Sequence, residues 1–194
     1  MIKEMLVQLR ISLVAVLTLA VILCGVYPLL VWAAGQALFP GQAGGSLVRV
    51  GGTLAGSSLI GQGFTGEAYF HPRPSGAGSG YDAAASGGSN LGPTSRQLTE
   101  LVRARIAAYR AENGLPGAVP VPADAVTASA SGLDPHISVP NALLQARRVA
   151  RARGMGEGAL RERIAAHTEG RTLGILGEPR VNVLMLNIDL DRKR

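Results

Sequence analysis

The sequence predicts a single N-terminal transmembrane helix followed by a mixed α/β (α+β) extracytoplasmic domain. Three features carry that expectation. Residues Ile11–Ala34 form a run of 24 without a charge. Residues 35–92 are rich in glycine, with short apolar stretches that read as strands. Amphipathic helical patterns then lead to an apolar segment near the C-terminus.

The span comes first. Only 16% of the 194 residues are charged, where globular chains carry about a quarter, and the apolar excess lies at one end. A helix of that uncharged length reaches roughly 36 Å, enough for a hydrocarbon core of about 30 Å. No polar stripe runs along it. Tyr27 and Trp32 suit the headgroup level. Gly25 and Pro28 permit a kink or the close approach of a partner helix, so Gly25, Tyr27 and Pro28 are the expected packing positions. The run exceeds the roughly 7–15 residues of a secretory signal, and Leu23 before Cys24 does not suit a lipoprotein site. Lys3 and Arg10 precede the span, whereas no basic residue follows it until Arg49. Positive charges stay inside, which predicts a short cytoplasmic N-terminus over 1–10, the span over 11–34, and an extracytoplasmic domain over 35–194.

Within that domain, Leu47–Val50 and Glu67–Phe70 are bounded by glycines and read as strands. The glycines of residues 72–92 suit either flexible loop or backbone held where no Cβ fits. Thr94 and Gln97 have capping-box spacing, and Leu98, Leu101, Val102, Ile106 and Tyr109 form the apolar face of the helix that follows. Asn113-Gly114 ends it, and Pro116, Pro120 and Pro122 keep the next stretch extended. A second helix starts at Ser138, tolerates Pro140 in its first turn, carries Arg147, Arg148, Arg151 and Arg153 on a solvated or partner-facing side, and stops at Gly154. A third covers Glu157 to His167. Arg180–Leu190 is apolar on both faces around Val183–Leu186, the pattern of an interior strand.

The chemistry available is narrow. Lysine occurs only at Lys3 and Lys193, which excludes a Walker-type phosphate loop. The single cysteine excludes an internal disulfide and a multi-cysteine zinc site. His71, His136 and His167 lack metal-ligand spacing, and no metal is expected. Four per cent aromatic residues and the external placement argue against nucleic acid, despite the arginines. The densest stretch is Thr127–Ser138, which sets hydroxyls, Asp134 and His136 before a helix start. A well-bonded loop is the leading reading. The alternative is a membrane-anchored hydrolase using Ser129 or Ser131 with Asp134 and His136, although no G-x-S-x-G turn is present.

Several segments then resemble one family in order along nearly the whole chain. They are Tyr69-Phe70-His71-Pro72-Arg73-Pro74-Ser75, Gly88-Ser89-Asn90-Leu91-Gly92-Pro93-Thr94, the Thr127–Ser138 stretch, His167-Thr168-Glu169-Gly170-Arg171, and Gly177-Glu178-Pro179-Arg180-Val181-Asn182-Val183-Leu184. The chain is similar to the C-subunit (KdpC) family of bacterial Kdp potassium-transporting P-type ATPases. The resemblance implies a non-catalytic subunit of an inner (plasma) membrane complex that takes up K⁺ at the expense of ATP. Its implied partners are a channel-like potassium-binding subunit, a P-type ATPase catalytic subunit, a small single-span subunit and membrane lipid. The family's implied roles are assembly of the complex and a catalytic-chaperone action raising the ATP affinity of the catalytic subunit. No cofactor is expected to bind independently, and ATP is expected only together with the catalytic subunit, because the charge asymmetry sets residues 35–194 outside. The matched motifs make Ser89, Asn90, Ser129, Ser131, Asp134, His136, Arg180 and Asn182 the expected binding or interface residues, with no catalytic residue.

Overall fold

The uncharged sequence folds into one helical rod, Ile2–Leu38, long and apolar enough to cross a membrane and with no buried residue. In the computed structural model, residues 1–192 are described; Lys193 and Arg194 lie outside them. The rod comprises α1 (Ile2–Ala20), one π-helical segment (Val21–Val26) and α2 (Tyr27–Leu38). Pro28 accounts for the π segment. Its ring has no N–H for the carbonyl of Cys24 four residues back and would press against it. A wider turn relieves that conflict, and the Tyr27 N–H accordingly reaches the Ile22 carbonyl, five residues back. Gly25 lies inside this segment, with Tyr27 and Pro28 directly after it. The one-turn helix α3 (Pro40–Ala43) follows.

The chain divides into two compact units, Met1–Leu47 and the part from Val48 onward. The second begins around a hairpin of β1 (Leu47–Val50) and β2 (Thr53–Ser57). Gly51 and Gly52, at φ +56° and +85°, supply the left-handed pair that a tight two-residue hairpin turn needs. A long ordered loop leads to α4 (Arg96–Asn113), then α5 (Ala123–Val126), β3 (His136–Ser138), α6 (Val139–Arg153) and α7 (Glu157–Ala166). The chain then forms β4 (Thr168–Glu169), β5 (Arg180–Asn182) and α8 (Val183–Arg192). The antiparallel sheet has the order β3-β5-β4, pairing Ser138 and Glu169 with Arg180 from opposite sides. Phe70, Ile137, Leu160, Ile164, Val181 and Leu186 are fully buried between this sheet and the helices. Each such side chain contributes roughly 1.5–3 kcal/mol on leaving water.

Four expectations are corrected. First, the cap of α4 is Ser95, whose extended backbone lets its hydroxyl accept the Leu98 N–H at 3.3 Å, so the Thr94–Gln97 box does not form. Second, Glu67–Phe70 is not a strand, although its backbone is bonded as if it were. The Asn187 side-chain amide accepts the Phe70 N–H at 2.8 Å and donates to the Phe70 carbonyl at 2.9 Å. Gln145 does the same for His71, at 2.7 and 3.1 Å. Two side-chain amides thus stand where a neighbouring strand would.

Third, the predicted C-terminal strand stops at Asn182. The Asn182 side chain accepts the Met185 N–H at 3.1 Å and starts α8. Leu184, Met185 and Leu186 are good helix formers, and burial on most sides of α8 gives the same continuous apolar run as a buried strand. Fourth, Arg148 and Arg153 do not face solvent: each side chain is only 2–3% exposed. Arg148 donates to the Glu67 and Tyr69 carbonyls at 2.7 and 3.0 Å, and Arg153 to the Leu190 carbonyl at 3.0 Å and to that of Ala68.

Of the two readings of the glycines, close approach holds at Gly76, Gly78 and Gly88, whereas a Cβ on Gly80 or Gly92 would meet nothing within 4 Å. A Cβ on Gly76 would meet the Gly88 carbonyl carbon at 3.1 Å, one on Gly88 the Ala130 oxygen at 3.0 Å, and one on Gly132 the Gly87 oxygen at 2.5 Å. Ser75 locks the same junction, donating to the Gly132 carbonyl at 2.7 Å and accepting the Tyr81 N–H at 2.8 Å.

Candidate functional site

The Asp-Pro dipeptide at 134–135 sets the site. A residue before proline is driven extended, and Asp134 turns its carboxylate back to accept the His136 N–H at 3.0 Å. That turn feeds β3, and Ser138 at its end caps α6 by accepting the Asn141 N–H at 3.2 Å. Around this corner lies a cleft of about 500 Å³ lined by Arg73, Asp124, Asp134, His136, Ser138 and Arg180, among others.

Its charges are paired with one another. Arg73 donates to Asp134 at 3.0 Å. The His136 ring has Nδ1 3.3 Å from Asp134 and Nε2 3.6 Å from Glu169, so each nitrogen faces a carboxylate. Arg180 donates to the same Glu169 at 3.1 Å. Asp124 accepts the Ser138 N–H and hydroxyl, both at 2.8 Å, and the Asn141 amide at 2.9 Å, which places a carboxylate at the positive end of α6. Burial raises the Asp134 pKa, but the hydrogen bonds from His136 and Arg73 outweigh it and hold the carboxyl below its usual range.

A second polar network backs the first along α6. Asn141, Gln145 and Arg148 recur at helical spacing and are buried. Tyr109 donates to Asn141 at 2.8 Å, Gln145 donates to Asn141 at 2.9 Å, and Arg148 donates to Gln145 and to Asn113, both at 3.0 Å. Burial, the carboxylates of Asp124 and Glu112, against the opposing charge of Arg148, leave the Tyr109 phenol strongly raised and therefore neutral. Glu112 closes the network by meeting His71 Nδ1 at 2.5 Å, and that hydrogen bond lowers its pKa against the opposing effect of burial.

Of the residues singled out from sequence, the cleft brings together Asp134, His136 and Arg180. Asn182 lies beside it at the end of β5, buried, donating to the Ser58 carbonyl at 2.8 Å as well as capping α8. Ser129 and Ser131 are outside it: their hydroxyls face each other at 3.4 Å, and that of Ser131 accepts the Leu133 N–H at 3.1 Å. Neither bonds to His136 among the described residues, so the Ser–His–Asp geometry of the hydrolase alternative is not assembled. Ser89 and Asn90 are exposed, with Asn90 at φ +51°. Arg73 and Glu169 entered only as members of the family segments, and Asp124, Asn141, Gln145 and Asn187 were not singled out. The signal for Asn141 and Gln145 was a polar residue inside a helical pattern, and for Asn187 a polar residue inside an apolar run read as strand. No group of three or more His, Cys, Asp or Glu among the described residues is placed to hold a metal ion.

The arrangement is a polar clasp between the 127–138 loop, the 71–75 segment and the sheet, in which the carboxylates are paired while Arg73 Nε is buried without a hydrogen-bond partner. A family model described as K⁺-transporting ATPase, c chain, matches residues 9–192. Curated relatives called potassium-transporting ATPase KdpC subunit are similar over most of their length. One from Nitratidesulfovibrio vulgaris is 58% identical over 188 residues, covering 96% of this chain and 95% of the relative. One from Myxococcus xanthus is 59% identical over 168 residues, 86% and 79%. One from Mycobacterium tuberculosis is 55% identical over 185 residues, 95% and 98%.

Proposed function

Because this chain belongs to the KdpC family, the c chain of K⁺-transporting ATPases, we propose that it is a non-catalytic, membrane-anchored subunit that assembles and stabilises the complex from the extracytoplasmic side. Potassium is the ion such a complex transports. The helical rod anchors the chain in the bacterial inner membrane, with the first ten residues in the cytoplasm and the folded domain outside. There the domain rests on the channel-like potassium-binding subunit, and the span packs through Gly25, Tyr27 and Pro28 beside the catalytic and small single-span subunits.

The observation that carries this reading is the internal pairing of the cleft's carboxylates. Asp124, Asp134 and Glu169 already accept hydrogen bonds or ion pairs from within the chain. Such a site holds a surface in shape and does not offer a free nucleophile or base. Ser89, Asn90 and the outer groups of the cleft then serve as contact surface. A catalytic-chaperone effect on the ATP affinity of the catalytic subunit passes through the assembled complex, with ATP held by that subunit. Protease shaving of intact spheroplasts tests the placement: residues 35–194 are expected to be digested while a cytoplasmic marker survives. Full protection of that domain, together with digestion in inverted vesicles, would contradict it. Deleting the subunit is expected to abolish K⁺-stimulated ATP hydrolysis.

A further inference from the structure

The loop between β4 and β5 folds into a small hairpin with an apolar tip. Thr172 and Leu176 form an isolated antiparallel bridge, and the Thr172 N–H donates to the Leu176 carbonyl at 2.9 Å. At its base Arg171 donates to both oxygens of Glu178, at 2.9 and 2.7 Å. Beyond this fastening project Leu173, Ile175 and Leu176, which are 85%, 75% and 57% exposed. Leu173 also has φ +55°, a left-handed conformation that disfavours a branched side chain and that glycine adopts freely. An ordered turn that keeps a leucine there, beside two further exposed apolar side chains, is poorly suited to water.

We propose that this hairpin tip is a docking knob that inserts into an apolar cleft on the extracytoplasmic surface of another subunit of the same transport complex. The size of the patch argues for a partner already held nearby. Three side chains fall well short of the roughly 800 Å² per partner that a stable free complex buries, so a second copy meeting this tip in solution would not be retained. A subunit tethered in the same membrane needs far less, because its effective concentration is high. Residue type argues against lipid as the occupant. The tip carries no Trp, Tyr or Lys, and its only flanking charges are the paired Arg171 and Glu178, whereas interfacial segments favour aromatic and basic residues. This inference rests on the extracytoplasmic subunit role proposed above and adds its contact surface.

The test uses the full chain co-expressed with the other subunits in native membranes. A benzophenone amino acid replaces Leu173 or Ile175, with Leu59, 63% exposed in the same domain, as the control position. Irradiation is expected to give adducts with another subunit, identified by mass, at least about tenfold above those at Leu59. Adducts with lipid only, adducts with a second copy, or yields no higher than at Leu59 overturn the proposal. Separately, the combined Leu173→Ser, Ile175→Ser and Leu176→Ser chain is expected to keep its thermal unfolding midpoint in detergent while recovering about tenfold less of the other subunits after dilution. Unchanged recovery overturns the knob. If the unaltered chain recovers no other subunit, the subunit reading itself fails; if it does and the tip gives no adduct, only the docking inference fails.

Discussion

Asn187 and Gln145 show at the level of single side chains how the 67–71 segment is held. Each side-chain amide gives one acceptor and one donor to a backbone N–H and carbonyl, those of Phe70 and His71. Asn187→Ala leaves both Phe70 groups buried without partners, and each such loss costs about 1–3 kcal/mol. Thermal or denaturant unfolding of the full chain in detergent is expected to show a loss of roughly 2–4 kcal/mol, larger than for a surface substitution. Asn187→Asp is expected not to rescue it, because a carboxylate accepts the Phe70 N–H but cannot donate to its carbonyl. Gly132 makes a separate case. A Cβ there would stand 2.5 Å from the Gly87 oxygen and 2.6 Å from the Ala77 nitrogen, at φ +67°. Gly132→Ala is expected to destabilise by more than about 2 kcal/mol, while Gly117→Ala, with open space around it, is expected to be near neutral.

The elements differ in how legible they were, and the differences have physical causes. The span, α4 and α6 were readable because each carries its own punctuation: an uncharged run, then helices closed by Gly114 and Gly154 in the left-handed conformation. The segment after Asn182 was misread because burial on both sides erases the periodicity that separates helix from strand. The cleft was half legible. Asp134 and His136 are neighbours in sequence, whereas Asp124 and Glu169 reach it through tertiary folding. Arg148 and Arg153 were assigned to a solvated or partner-facing side because charge alone says nothing of the carbonyls of Glu67, Ala68 and Tyr69, some 80 residues earlier, that receive them. Within the span, Gly25 offers a place where a Cβ meets nothing within 4 Å of its own chain. Gly25→Leu fits the isolated helix, so its expected effect is on partners: reduced co-purification of the other subunits with unchanged membrane insertion. Gly25→Ala is expected to be milder, because small residues still allow close helix approach.

At the scale of the whole molecule, the carboxylates of three separate clasps respond to acid in the same direction. Asp134 joins the 127–138 loop to Arg73, Glu112 joins α4 to His71, and Asp189 joins α8 to Arg163 of α7 at 2.7 Å and to His167 at 3.5 Å. For Asp189, as for Asp134, burial raises the pKa, but the hydrogen bonds and charges of Arg163 and His167 prevail and lower it. A carboxyl whose pKa is lowered by folding contributes stability that is complete above its unfolded value, near 4, and is lost as pH falls through the folded value. Protonation therefore loosens three different junctions of one domain over the same range. The unfolding midpoint of the full chain in detergent is expected to fall as pH drops from about 5 to about 3. Asp134→Asn, Glu112→Gln and Asp189→Asn are each expected to lower the midpoint at neutral pH and to make the acid-induced fall shallower, because each removes one of the groups that titrates. A variant that loses stability at neutral pH yet keeps the full fall would show that its carboxylate acts through packing and not through charge. If the domain faces the cell exterior, the same measurement gives the acidity at which the subunit can no longer hold its contact surface in shape.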